Sequence, residues 1–276
     1  MSDFSSLKLL PQILEAVSKK GYTTPTPIQE QSITHLLEKR DLLGIAQTGT
    51  GKTAAFTLPI IHHLFNNKVK AKPARMRVLI LTPTRELASQ IEQNIKEYSK
   101  GMGLKSTVIF GGVGQRPQVQ AMSKGVDILI ATPGRLLDLM GQGHIMYEQL
   151  EVFVLDEADR MLDMGFFNDV KKIIAKLPRQ RQTLLFSATM PKYISALAQK
   201  LLKDPVRVEV TPEASTVDKI EHIVMIVDKT NQPLLLESIL NDKSIQPVLV
   251  FTSTMHGANR VVKHLDKFSI PSASRH

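Results

Sequence analysis

The sequence predicts an α/β fold, a mostly parallel sheet with helices on both faces, and three observations support it. Short apolar, β-branched runs recur at DLLGIA (41–46), RVLILT (77–82), STVIF (106–110), DILIA (127–131), VFVLD (152–156) and TLLFS (183–187). Longer helix-like segments lie between them, such as LASQIEQNIKEYSK (87–100) and FNDVKKIIAKL (167–177). The runs are near-continuously apolar rather than alternating, the mark of strands buried on both faces. In such sheets ligands bind at the carboxyl ends of the strands. That is where this chain gathers its Gly, Thr and acidic residues.

The elements divide the chain into a first domain over 1–207, a linker over 208–219 and the start of a second α/β unit over 220–276. The linker expectation rests on TPEASTVDK (211–219), which is polar and carries a proline. Beyond it, IEHIVMIVD (220–228) and PVLVFTST (247–254) are strand-like. TNQPLLLESILN (230–241) and MHGANRVVKHLDKF (255–268) are helix-like.

Composition narrows the function classes. The 276 residues are 42% hydrophobic and 22% charged, ordinary for a globular protein. A net charge of +9 favours polyanionic partners, through phosphate neutralisation and counterion release. With no cysteine, disulfides, thiolate catalysis and cysteine zinc sites are excluded. MSDFSSLKLLPQ has no basic-then-apolar leader pattern, and no apolar run approaches membrane-spanning length, so no membrane role and a cytoplasmic location are expected. The basic stretch KVKAKPARMR (68–77) reads as a solvated loop that adds nonspecific affinity for polyanions. MLDMGFF (161–167) has apolar residues at near-helical spacing and reads as core packing.

Two motifs carry chemistry. AQTGTGKT (46–53) follows a strand and opens a helix. Gly49 and Gly51 leave room for backbone N–H groups to approach phosphate, Lys52 supplies a cation for it, and Thr53 offers a hydroxyl to Mg²⁺. Ala46 stands where the regular phosphate-loop pattern has Gly. The second motif is Asp156, Glu157, Ala158, Asp159, directly after VFVL. A phosphate-loop ATPase needs a carboxylate at a second strand end for hydrated Mg²⁺, which suits Asp156, and a base or water-positioning group beside it, which suits Glu157. Asp159 is placed to tie this loop to the neighbouring strand ending in Ser187, Ala188, Thr189. The competing reading of the acids alone is the polar first turn of a helix.

Taken in order, GYTTPTPIQ (21–29), AQTGTGKT (46–53), PTRELA (83–88), GG (111–112), TPGR (132–135), DEAD (156–159), SAT (187–189) and VFTST (250–254) resemble the motifs of the DEAD-box ATP-dependent RNA helicases over nearly the whole chain. The composition of the first half resembles bacterial members of the RhlE-like type. The resemblance implies a RecA-like (phosphate-loop NTPase) first domain followed by the start of a second RecA-like domain. It implies ATP with Mg²⁺ as cofactors and ADP as product. The phosphate loop is Gln47, Thr48, Gly49, Thr50, Gly51, Lys52 and Thr53. Gln29 reads adenine with help from Thr24, Tyr22 stands where the family has Phe, and Phe4 stacks on the base. Asp156 and Thr53 hold the metal, Glu157 handles the attacking water, and Asp159, Ser187 and Thr189 couple nucleotide state to RNA. Pro83, Thr84, Arg85, Gly112, Thr132, Pro133, Gly134 and Arg135 line an RNA backbone path, with little base specificity. The family's second domain also supplies an arginine finger from H-R-x-G-R-x-x-R-like stretches, which do not occur here. This chain is therefore expected to bind nucleotide and hydrolyse it feebly alone. The alternative is a non-catalytic nucleotide- or RNA-binding module or regulator. The target RNA and protein partners are not read from the sequence.

Overall fold

The computed structural model describes residues 3–210, 223–242 and 247–274. The chain forms two compact units, Met1–Glu213 and Ala214–His276. In the first, β1 (Leu42–Ile45), β2 (Met76–Leu81), β3 (Ser106–Ile109), β4 (Val126–Ala131), β5 (Val152–Leu155), β6 (Gln182–Ser187) and β7 (Val206–Glu209) make one sheet. Its order is β3-β4-β2-β5-β6-β1-β7, and every pairing is parallel.

The continuous apolar runs are explained by burial on both faces. Along β2, Val78 and Ile80 join one cluster while Leu79 and Leu81 join the other. The first face is covered by α2 (Pro27–Leu37), α3 (Lys52–Asn66) and α4 (Arg85–Tyr98). The second is covered by α6 (Pro133–Gly141), α7 (Ala158–Asp163), α8 (Phe167–Lys176) and α9 (Lys192–Leu201). The short α5 (Arg116–Met122) leads from β3 to β4, and a single 3₁₀ turn (Phe4–Leu7) with α1 (Pro11–Lys19) packs outside α2 and α3. Each fully buried Leu, Ile or Phe contributes roughly 1.5–3 kcal/mol. At Gly44 in β1, a Cβ would lie 2.5 Å from the Phe186 ring. That ring packs on Phe56 with centroids 5.3 Å apart.

Register sets the site. Leu155 pairs with Leu185 and Ile45 with Ser187, so the strands that deliver the acids, the SAT segment and the phosphate loop are neighbours ending at one edge. The sheet also runs past the expected first-domain end at 207. Val208 and Glu209, expected in the linker, pair with Gly44 and Ile45.

The second unit departs further. Helices form where expected, α10 (Gln232–Leu240) and α11 (Met255–Asp266). The two expected strands do not: residues 223–228 and 247–254 contain no strand, and residues 220–222 lie outside the described residues. Ile226 is fully exposed and Phe251 nearly so. A β-strand exists only through its ladder partners, and two short segments lack enough of them. Among the described residues no helix is long and apolar enough to cross a membrane.

Candidate functional site

Between β1 and α3 the chain turns through two left-handed glycines, Gly49 at φ +87° and Gly51 at φ +96°. Gly51 is required twice over, because a Cβ there would also lie 2.5 Å from Gln29 Nε2. Lys52 opens α3 and is only 7% exposed. Its Nζ donates to Ala46 O at 2.8 Å, so the ammonium caps its own loop. A phosphate oxygen is a stronger acceptor than that carbonyl. The Thr50 hydroxyl donates to Gln47 O at 2.7 Å, and Thr53 follows Lys52, half-buried, in the first turn.

The acids meet this loop from β5. Asp156 is 2% exposed. Burial pushes its carboxyl up to about 6, opposed by the charge of Lys52 and reinforced by Glu157 and Asp159. A buried carboxylate crowded by like charges favours a bound cation, which suits a Mg²⁺ carried with phosphate. Among the described residues no three His, Asp or Glu side chains converge as a self-contained metal cage. Glu157 sits in left-handed backbone, φ +50°, an uncommon conformation for a non-glycine and one that gathers at functional sites. Its carboxylate accepts from the Thr48 hydroxyl at 3.4 Å and from Arg160 Nη1 at 3.0 Å. Asp159 turns away to β6. Its Oδ2 accepts from Thr189 N and Thr189 Oγ1, each at 2.8 Å, while its own N–H donates to Ser187 Oγ at 3.3 Å. Burial would raise the Asp159 pKa, but the hydrogen bonds its carboxylate accepts, led by the Thr189 hydroxyl and including Arg160 N at 3.0 Å, hold it below the usual carboxylate value.

Two expected adenine-side residues already have partners within the protein. Gln29 is the third residue of α2, and its amide is already used. Oε1 accepts from Thr26 N at 3.0 Å and Nε2 donates to Gly51 O at 3.1 Å. It latches the phosphate loop to the start of α2. Phe4 is only 4% exposed, in a cluster with Leu7, Leu9 and Ile13. Its ring is a core group here, because the 3₁₀ turn packs inward. Tyr22 and Thr24 are exposed on the loop before α2.

The remaining motifs gather at the carboxyl ends of β3, β4 and β2. Thr84 caps α4 by accepting from Leu87 N at 3.3 Å. Arg85 lies over the Phe110 ring at 5.4 Å, and a Cβ at left-handed Gly112 would collide with its guanidinium. Both Arg135 Nη atoms donate to Val113 O at 3.2 Å. Pro83, Thr132 and Pro133 are buried. They shape the turns, so the surface open to a ligand belongs to Arg85, Gly112, Gly134 and, partly, Arg135. Two residues were not anticipated. Arg160 pairs with Glu157. Buried Gln118 staples the loop after β3, accepting from Phe110 N and donating to Phe110 O, both at 3.1 Å, and donating to Gly114 O at 3.4 Å. A lone glutamine inside a short helix gives no sequence signal for that role.

Comparison with known proteins gives the family. The DEAD/DEAH box helicase family profile matches residues 26–197. The chain is 39% identical over 275 residues to the ATP-dependent rRNA helicase RRP3 of Mycosarcoma maydis, covering 99% of this chain and 48% of that protein. It is 38% identical over 273 residues to the DEAD-box ATP-dependent RNA helicase RhpA of Helicobacter pylori, covering 99% and 54% respectively. The chain thus spans about half the length of the curated relatives it matches. The crystal structure of a DEAD box protein from the hyperthermophile Methanococcus jannaschii superposes with a TM-score of 0.70 at 34% identity, over 96% of this chain and 70% of that one. The chain belongs to the DEAD/DEAH box helicase family.

Proposed function

We propose that this chain is the ATP-binding, RNA-contacting core of an ATP-dependent RNA helicase, comprising a RecA-like domain and the start of a second over residues 220–276. The observation that carries the reading is a buried ammonium and two buried carboxylates, Lys52, Asp156 and Glu157, brought to one phosphate loop. Lys52 and the loop amides bind the phosphates. Thr53 and Asp156 hold Mg²⁺, which when bound supplies charge neutralisation of the transferring phosphoryl group. Glu157 orients and deprotonates the attacking water. Gln29 exchanges its bond to Gly51 for the adenine edge, beside Thr24 and Tyr22. The Asp159, Ser187 and Thr189 tie transmits the state of the carboxylate loop to β6. Arg85, Gly112, Gly134 and Arg135 take sugar–phosphate backbone, giving binding largely independent of base sequence.

Arginine fingers contribute about three to five powers of ten in rate, and the patterns that supply one in this family do not occur in these 276 residues. Alone, the chain binds ADP and ATP but turns ATP over feebly and unwinds no duplex. The test is ATP turnover with and without single-stranded RNA, beside calorimetric titration with ADP. ADP binding with minimal turnover supports the proposal. Robust RNA-stimulated turnover overturns the dependence on an outside arginine, and absence of ADP binding overturns the nucleotide site itself.

A further inference from the structure

At the opposite edge of the sheet, where β2, β3 and β4 begin, lies a cavity of about 320 Å³. Four lysines from three separate loops line it: Lys68 and Lys70 before β2, Lys105 before β3 and Lys124 before β4. The ion-paired lysines among the described residues are Lys19, Lys20 and Lys96, so no carboxylate of the described residues lies within 4.0 Å of these four ammonium groups. Asp127 lines the same cavity, but its Oδ2 accepts from Lys105 N at 2.8 Å. Arg77, at the back, is 1% exposed and held by Glu151 through Nε at 2.5 Å and Nη2 at 3.2 Å.

The walls are fixed. Lys72 N donates to Gln149 Oε1 at 2.7 Å and Ala74 N to Met122 O at 2.9 Å, fastening the lysine-bearing loop from two sides. Gly125, at φ +71°, packs so tightly under that loop that a Cβ would lie 2.8 Å from Ala71 O. Holding like charges around one cavity costs energy that an anion recovers. Lysines act as point charges suited to phosphate, and the one guanidinium present, which would favour a bidentate carboxylate, is already engaged. Phe65, Met102 and Leu104 supply an apolar floor. The volume falls in the range of small-ligand pockets.

We propose that this pocket is a second nucleotide-phosphate site, separate from the phosphate loop, taking a phosphate on the lysines and a base against the apolar floor. The nucleotide comes either from an RNA strand or as a free mononucleotide. The six residues of β4 separate the pocket from the motifs at the strand's far end, roughly 20 Å at strand rise.

The experiment uses methyl-¹³C-methionine spectra of the whole chain carrying Lys52→Ala, which disables the phosphate loop, titrated separately with AMP and with oligouridylate. The Met102 methyl should shift with at least one of them. It should stay put in a chain that also carries Lys105→Glu and Lys124→Glu, both exposed positions. If oligouridylate alone moves Met102, the source is an RNA strand, and the slope of log affinity against log salt should become shallower by about one for each lysine–phosphate pair removed. If AMP alone moves it, the source is free nucleotide. A Met102 signal indifferent to both, or a shift retained after charge reversal, overturns the proposal. ADP titration of the unsubstituted chain, followed at Met161 behind the carboxylate loop, reports on the phosphate loop separately.

Discussion

The carboxyl edge of the sheet has two wings built on opposite principles. On the β5–β6–β1 wing, charged groups are buried: Lys52, Asp156, Glu157 and Asp159 all sit below the surface. On the β3–β4–β2 wing the charges are outside and the buried groups are turn-formers, with Arg85 and Gly112 exposed over buried Pro83 and Pro133. Burial multiplies electrostatic strength and makes each group costly to leave unpaired. Exposure keeps charge mobile and screened, which suits a long polyanion gripped weakly at many points. One wing thus concentrates desolvated charge around a single loop, and the other spreads solvated charge over a surface.

Substitutions can break that contrast. The largest effect is expected from Lys52→Ala. Removing one partner of a desolvated charge pair should cost about 3 kcal/mol, roughly a hundredfold in ADP affinity by calorimetry. RNA affinity should change less than about twofold, since phosphate contacts elsewhere carry it, and an equal loss of both would mean the wings are one site. A comparable effect, on stability rather than binding, is expected at an ion pair outside both wings, between buried Arg77 and half-buried Glu151. Burial would raise Glu151, but hydrogen bonds from His63 and Arg77 and the charge of Arg77 outweigh it and hold Glu151 down at about 2. A depressed carboxylate contributes stability above its unfolded value near 4.5. That contribution is lost as pH falls from there toward about 2. Glu151→Gln should therefore cost about 2–3 kcal/mol at neutral pH, leaving Arg77 buried and uncompensated, and should flatten the acid limb of a urea-denaturation series. Native-like stability at pH 7 would make the pair neutral. The smallest effect sharpens the contrast from the exposed side. Gln118→Ala frees the loop after β3, so RNA affinity in fluorescence anisotropy should drop by about fivefold, near 1 kcal/mol, with ADP affinity unchanged.

Much of this was legible in the sequence, for physical reasons. Strands buried on both faces must be apolar throughout, so the expected runs fall within a few residues of β1 to β6. Phosphate loops need glycine and lysine at fixed places, and the acids had to follow a strand. What was illegible depends on distant partners. β7 is a strand because β1 lies beside it, whereas 223–228 and 247–254 have strand composition without a ladder. Met164 shares the apolar spacing of Met161, yet Met161 is buried and Met164 exposed. The bond from Gln29 to Gly51 was illegible as well, because it joins positions 22 residues apart. KVKAKPARMR read as a solvated loop, since nothing local says that Lys68 and Lys70 line one cavity with Lys105 and Lys124.

β7 has a consequence for colloidal behaviour. With four residues, exposed Arg207 and Glu209 paired at 2.8 Å, and one buried Val208, it is a short, charged selvedge on the sheet. Such a border discourages another chain from adding itself to the ladder. Without it, β1 would become the open edge, and the apolar strand that carries the phosphate loop would be the natural seed for aggregation.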